Sequence, residues 1–303
     1  MAITAQMVKE LRELTGAGMM DCKNVLVEAD GDMEKAVELL REKGIAKAAK
    51  KADRVASEGL VRIAFSEDGS MGAIIEVNSE TDFVAKNQEF VDFVDALAWK
   101  VLEWTDGKPE SFLAMDLDGE TVQEALQGKI ARIGENMNIR RFHRDASEGC
   151  KYVGYLHGNG KIGVVVGLKT EANAEEVSGL SRDVAMQVAS MNPLFVDESK
   201  VDPEYIENEK KIMTQQVLNE GKKPEMVDKI VEGKIKKEVK EICLLQQKFV
   251  KNSEQTVAQY VEETAKSLGK DIQVVSMVRY EVGEGIEKKE ECFLEEVMKQ
   301  MGN

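Results

Sequence analysis

Residues 72–87 read GAIIEVNSETDFVAKN, an apolar run that changes into a polar corner. A second apolar run, LVRIAF at 60–65, precedes it, and the residues EDGS at 67–70 separate the two. Short apolar runs joined by turn-forming residues predict a β-hairpin. After the corner, apolar residues recur at helical spacing: Phe90, Phe93, Val94, Leu97 and Val101. The sequence therefore predicts a hairpin, an exposed corner and a helix of about four turns.

The same order of elements recurs further along the chain. The runs YVGYLH (152–157) and IGVVVGL (162–168) flank the turn GNG (158–160), and a second helical pattern follows. A shift of 91 positions places Gly72 on Gly163 and Ile74-Ile75 on Val165-Val166. This pattern indicates an internal duplication and predicts two related α+β subdomains.

The first 54 residues predict a small three-helix domain. Thr4 and Asp32 are expected to cap the first and third helices, and Gly44 to end the third. A unit of this size barely supports a core, so a docking role is expected. A basic tether follows the third predicted helix and is formed by Lys47, Lys50, Lys51 and Arg54.

Residues 203–243 are highly charged and predict two antiparallel helices joined at GKKP (221–224). Their apolar stripe needs a cover, which is either the other helix of the hairpin or a second protomer. The intramolecular hairpin is favoured, and a homodimer through the hairpin is the alternative.

The remaining C-terminal sequence predicts a helix, a strand and a second helix. Ser253 is expected to cap the first helix, and the alternating residues 273–282 to form a strand that returns to the second sheet. After Gly285, an amphipathic pattern predicts a terminal helix.

Composition excludes several classes of protein. The 303 residues carry 41 Lys and Arg against 56 Asp and Glu, a net charge of −15 that opposes binding to nucleic acid or anionic membranes. Charged residues interrupt every apolar run before it reaches the length of a membrane span. The cysteines Cys22, Cys150, Cys243 and Cys292 are far apart, so neither a zinc site nor another metal site is predicted and a cytoplasmic location is expected.

No catalytic constellation is predicted. The pattern Gly158-x-Gly160-x-x-Gly163 matches a dinucleotide fingerprint, but a strand follows it instead of a helix, so a hairpin turn is favoured. His143 and His157 are expected to have structural or surface roles. No cofactor is predicted, and a hydrolase is the least supported class.

Two short segments are candidates for contacts with another protein. In the corner, a capping role explains Thr81 or Asp82, but Phe83 is either local core or an exposed contact, since the duplicate has Ala174 there. Met19-Met20 follows a Gly-Ala-Gly turn, and two adjacent methionines are not expected to face one small core together.

Distinctive motifs run in one order along nearly the whole chain. They are LTGAGMMDCK (14–23), TDFVAKN (81–87), IGEN (133–136), HG (157–158), GKKP (221–224), VEG (231–233) and YEVGEGIE (280–287). In these motifs the sequence resembles the bacterial elongation factor Ts family.

The resemblance implies a guanine-nucleotide exchange factor for elongation factor Tu that performs no covalent chemistry. It also implies a ubiquitin-associated-like N-terminal domain, a duplicated α+β core, a helical hairpin and a C-terminal docking helix. The residues expected to displace Mg²⁺ on the partner are Thr81, Asp82, Phe83 and Val84. The residues expected to dock the partner are Leu11, Met19, Met20, Ile133, Gly134 and His157.

These expectations give five segments and one functional alternative. The alternative is a helical-hairpin scaffold without exchange activity. The predicted segments are 1–54 (docking domain), 55–145 (first core subdomain), 146–200 with 246–284 (second core subdomain), 201–245 (helical hairpin) and 285–303 (docking helix).

Overall fold

The protein combines helices with small sheets, which confirms the predicted α+β class. The computed structural model describes residues 3–287, and most of the predicted helix at 285–303 lies outside them. The helices are α1 (Ala5–Thr15), α2 (Met19–Glu28), α3 (Met33–Ala49), α4 (Asp82–Ala85), α5 (Gln88–Glu103), α6 (Pro109–Leu113), α7 (Val122–Ile133), α8 (Ser178–Met191), α9 (Pro203–Asn219), α10 (Pro224–Ile242) and α11 (Val257–Leu268). The strands are β1 (Glu58–Phe65), β2 (Gly72–Ser79), β3 (Asp116–Leu117), β4 (Glu120–Thr121), β5 (Met137–Asp145), β6 (Cys150–His157), β7 (Ile162–Thr170), β8 (Lys248–Phe249), β9 (Asn252–Thr256) and β10 (Ile272–Glu281).

The described chain divides into two compact units. One comprises residues 3–61, 75–142 and 281–287, and the other comprises residues 62–74 and 143–280. The domain boundaries drawn from the sequence stay predictions. Within residues 3–287, no helix is both long and apolar enough to cross a bilayer.

The N-terminal helices α1–α3 enclose a small apolar core. Thr4 caps α1 by accepting the Met7 N–H, and Gly16 ends the helix with a positive φ of 65°. The predicted end of α3 at Gly44 is wrong, because the helix continues to Ala49 through good helix formers. Gly44 instead packs closely against α7, where a Cβ would lie 3.5 Å from that of Ala131.

The two three-stranded sheets share one topology, which supports the predicted duplication. Their strand orders are β1-β2-β5 and β10-β7-β6, so the second strand of each hairpin is central and a later strand flanks it. The predicted turn between β6 and β7 is confirmed by the pairing of His157 with Ile162. The predicted strand at 273–282 is observed as β10, beside β7.

The duplication extends beyond the hairpins. In each copy a two-stranded ribbon, β3-β4 or β8-β9, ends at a threonine that caps the next helix. Thr121 forms a capping box with Glu124, and Thr256 forms one with Gln259. Ser253 lies in β9, so its predicted capping role is wrong; Thr256, three residues later, has that role.

The α9–α10 hairpin, hereafter the arm, covers its own apolar stripe. Its buried contacts are Val217, Val227, Val231 and Ile235. The chain closes the base of the arm with backbone hydrogen bonds, from Leu244 N–H to the Phe195 carbonyl (2.9 Å) and from Leu245 N–H to the Val196 carbonyl (3.0 Å). The arm is therefore an insertion whose two ends are adjacent.

Glu76, in the central strand β2, is fully buried and satisfied by four groups. Its carboxylate accepts hydrogen bonds from Gly283 N–H (2.8 Å), the Asn78 amide (3.0 Å), Arg140 (3.1 Å) and Arg141 (2.5 Å). Burial by itself would raise the pKa of this carboxyl, but the hydrogen bonds from Gly283, Asn78 and Arg141 outweigh it and hold the pKa below 4.5. Glu76 thereby ties β5 and the turn after β10 to β2.

We expect that replacing residues 203–241 with a short Gly-Ser linker leaves the remaining chain folded, because the ends of the arm already meet. Circular dichroism should show lost helix with a retained cooperative melting transition. Since the arm covers its own stripe, sedimentation should give a monomer both with and without it. A dimer that becomes a monomer on removal would instead assign the arm as a dimer seam.

Glu76→Ala should lower the free energy of unfolding by about 3 kcal/mol at pH 7, because it removes the buried acceptor shared by Arg140, Arg141, Asn78 and the Gly283 N–H. The contribution of Glu76 is present above its ordinary pKa of 4.5 and is lost as pH falls through the lower folded value. The difference from the unmodified protein should therefore shrink in acid. Urea unfolding across this range measures both effects, with the exposed Glu67→Ala as control.

Candidate functional site

The corner between β2 and α5 is built on the short helix α4. Thr81 is its N-cap, and the Thr81 side chain accepts the Val84 N–H. Of the two residues for which sequence offered a capping role, Thr81 is therefore the cap. Val84 is buried, so the first and last residues of the TDFV motif fix the corner to the protein.

Phe83 projects from the corner into solvent. Its side chain is 80% exposed, which excludes a role in the local core. Beside it, the Asp82 carboxylate pairs with Lys86 at 2.6 Å, one helical turn further along. The corner therefore presents an aromatic ring and a carboxylate side by side on a fixed backbone.

Two carboxylates cross between the corner and the segment after α7. Glu135 accepts both the backbone N–H (3.0 Å) and the hydroxyl (2.7 Å) of Thr81. In the opposite direction, Glu80 accepts the Asn136 N–H at 2.5 Å. The side chain of Asn136 is buried and donates to the carbonyls of Ala52 and Arg54.

Sequence analysis did not assign this support. Glu135 and Asn136 lie in the IGEN motif, but no local pattern pairs them with residues more than 50 positions earlier. The only available signal was the presence of two acidic residues, Glu80 and Glu135, each next to a predicted site residue.

The equivalent corner of the second copy has a different surface. Asn173 and Ala174 occupy the positions that match Asp82 and Phe83. Asn173 forms reciprocal hydrogen bonds with Glu176, and Ala172 is buried. This corner therefore has capping interactions but no exposed aromatic ring.

The N-terminal domain exposes a second apolar surface at the start of α2. Met19 and Met20 are both more than half exposed, although only one was expected to be, and Leu14 is 70% exposed. Leu11, predicted to contact a partner, is instead fully buried among the three helices. Leu11 lies on the apolar face of α1 that packs against the other two helices, whereas Leu14 is exposed on the surface.

Ile133 and Gly134 lie at the end of α7, directly before Glu135. Gly134 ends the helix with a φ of 92°, and its carbonyl accepts a hydrogen bond from the Lys51 ammonium. Two residues before Gly134, the Arg132 guanidinium lies against Gly16, where a Cβ would be only 2.3 Å from its Nη1. The end of α7 therefore contacts both the corner and the N-terminal domain.

The predicted contact His157 belongs to the other unit. It is exposed at the end of β6, and its Nδ1 lies 3.0 Å from the Tyr155 hydroxyl. The glycines that follow it, Gly158 and Gly160, have positive φ and form the β6–β7 turn, which confirms the turn interpretation of the G-x-G-x-x-G pattern.

A metal centre is not found in the described part of the chain. Among residues 3–287, no three His, Cys, Asp or Glu side chains are grouped so that they could hold a metal ion. His143, the other histidine, pairs with Asp145 at 3.3 Å in the second unit.

Comparisons of the sequence with known proteins all give one family, over most or all of the chain. The family model described as elongation factor TS matches residues 80–284. Curated proteins named elongation factor Ts are similar over 99% of both chains, with 56% identity for Clostridioides difficile, 54% for Clostridium perfringens and 53% for Clostridium novyi.

We expect Phe83→Ala to change the free energy of unfolding by less than about 0.5 kcal/mol, because the ring is in water. Phe90→Ala, at a fully buried site in the next helix, should cost about 3–5 kcal/mol. Urea unfolding of the two variants measures this contrast. A large loss of stability in Phe83→Ala would show that the ring supports the fold.

Proposed function

The chain belongs to the elongation factor Ts family, and from this membership we propose that it is a guanine-nucleotide exchange factor. It binds elongation factor Tu in its GDP-bound form, promotes release of GDP and holds the nucleotide-free partner during translation elongation. It performs no covalent chemistry and acts in the cytoplasm. The observation that carries the proposal is the exposed Phe83 on its fixed corner.

The corner has the chemistry needed to disturb a nucleotide site. A GTPase holds GDP largely through its phosphates and Mg²⁺, whose charge offsets the diphosphate. An aromatic ring and a carboxylate inserted beside that ion, supplied by Phe83 and Asp82, displace the groups that support it. The diphosphate is then left in a site with less positive charge, so its affinity falls.

Linkage makes this effect reciprocal. A factor that binds the nucleotide-free partner more tightly must weaken nucleotide binding by the same ratio. Rebinding of GTP therefore expels the factor. The factor is released unchanged after each cycle. Exchange therefore requires surfaces that bind the partner and no covalent chemistry.

A second surface supplies affinity in this proposal. Met19 and Met20 at the start of α2 and Leu14 near the end of α1 are exposed apolar side chains, and flexible thioethers suit contacts with another protein. Ile133, Gly134 and His157 are proposed as further contacts with elongation factor Tu. Docking through several surfaces would leave the corner free to act on the metal.

The alternative is a scaffold that binds through the arm and does not accelerate exchange. The arm covers its own apolar stripe, so the structure offers less for this function than for exchange. Release of labelled GDP from elongation factor Tu, with and without this chain, separates the two.

Phe83→Ala should slow GDP release from elongation factor Tu by about five- to thirtyfold, the effect of losing an interfacial aromatic worth about 1–2 kcal/mol. Asp82→Ala should also slow it, and the double variant most. The loss of rate relative to the unmodified chain should be smaller when Mg²⁺ is chelated, because no ion is then left for these side chains to displace.

Trp99→Ala is the matched control, since Trp99 is another exposed aromatic and lies on α5, outside the corner. It should leave the rate unchanged within about twofold. If Phe83→Ala slows GDP release by the same factor with and without Mg²⁺, Phe83 is a docking contact that does not act on the metal. A chain that does not accelerate release at all would contradict the proposed exchange activity.

A further inference from the structure

The geometry points to Glu135 as the residue that positions Phe83 for exchange, an inference that rests on the proposed function. Glu135 is not expected to touch the nucleotide or the metal. It acts through Thr81, and its role is to hold the backbone of the corner in one place.

The corner needs such a support because α4 is only four residues long. One turn of helix is marginal by itself, since nucleation costs more than a few hydrogen bonds return. Phe83 contributes little to holding it, because the ring is in water. The position of the ring therefore depends on Thr81 at one end and on the buried Val84 at the other.

Glu135 fixes the Thr81 end with two hydrogen bonds from one carboxylate. Its Oε2 accepts the Thr81 N–H at 3.0 Å and its Oε1 accepts the Thr81 hydroxyl at 2.7 Å. Bonds to an ionised acceptor are the stronger kind, and two of them remove the rotational freedom that one would leave. The hydroxyl also accepts the Val84 N–H, so Glu135 orients the cap as well as the backbone.

Glu135 is itself held on a rigid element. It follows Gly134, which ends α7, and the next residue, Asn136, is fixed by Glu80 and by the carbonyls of Ala52 and Arg54. Glu80 precedes Thr81, so the two segments hold each other through reciprocal carboxylates. The position of Phe83 therefore depends on the position of the end of α7, through Glu135 and Thr81.

Loss of this support predicts a specific kinetic result. A misplaced ring still contacts the partner loosely, but it no longer reaches the metal site correctly. When a side chain that acts in the rate-determining step is slightly misplaced, the rate falls more than the binding affinity does. Glu135→Ala should therefore reduce the maximal rate of GDP release by about tenfold and change the half-saturating concentration of the factor by less than about twofold.

The first measurement is hydrogen–deuterium exchange of the full chain without any partner. In Glu135→Ala, amides at 80–88 should exchange about tenfold faster, while those of β2 stay unchanged, because only the corner is released. Gln259→Ala is the control, since it removes a comparable bond, from Thr256 N–H at 2.8 Å, in the other unit. Unchanged exchange at 80–88 in Glu135→Ala would overturn the inference.

The second measurement is GDP release from elongation factor Tu at increasing concentrations of each variant. In the Phe83→Ala/Asp82→Ala double variant, Glu135→Ala should cause no further loss of rate, because it acts through those two side chains of the corner. An equal loss in both backgrounds, or an unchanged maximal rate in Glu135→Ala, would overturn the inference. If Glu135→Ala does not fold, Glu135→Gln replaces it, since the amide keeps the shape but cannot accept both bonds.

The two measurements separate this inference from the proposed function. If the unmodified chain fails to accelerate GDP release, exchange activity is contradicted, and the amide data alone decide whether Glu135 holds the corner. If release is accelerated but Glu135→Ala behaves like the control in both assays, only the positioning role fails.

Discussion

A single buried charge organises the unit that contains the candidate site. The Glu76 carboxylate lies in the central strand of its sheet without access to water, where an unpaired ion would be very unfavourable. Donors from two arginines of β5, from Asn78 and from the turn at Gly283 converge on it. Because the arginines and Gly283 come from distant parts of the sequence, the carboxylate joins β5 and the turn after β10 to β2. The corner that follows β2 therefore starts from a well-defined position.

Stability and contact are assigned to different side chains at the corner. Thr81 and the buried Val84 hold the corner to the protein, whereas Phe83 is exposed and is not constrained by packing. The exposed ring of Phe83 contributes little to folding, so the fold alone does not account for it, and we propose a contact role for it. The second copy of the fold, with alanine at the matching position, shows that the architecture itself does not require the ring.

Periodicity predicted the helices and strands well, because each is decided by residues close together in sequence. The hairpins, the strand β10 and the arm follow from such patterns. Errors arose where tertiary packing overrides local signals: Gly44 continues its helix against α7, and Leu11, expected to contact a partner, belongs to the core of the three helices. The support of the corner was missed because Glu135 and Thr81 are 54 positions apart. A repeat and a family resemblance predicted the candidate site, but only the fold brought its supporting carboxylates together.

The closed base of the arm has a consequence for how this protein can be changed. The chain leaves the second unit and returns to it at neighbouring residues, so the length of the arm is not coupled to the spacing of the surrounding core. Insertions or deletions there alter an extension and leave every strand register intact. The turn at Gly221 between the two helices is accordingly a natural position for a fluorophore or a surface-attachment tag. Such a label would lie on an extension of the second unit, away from the strands of its sheet.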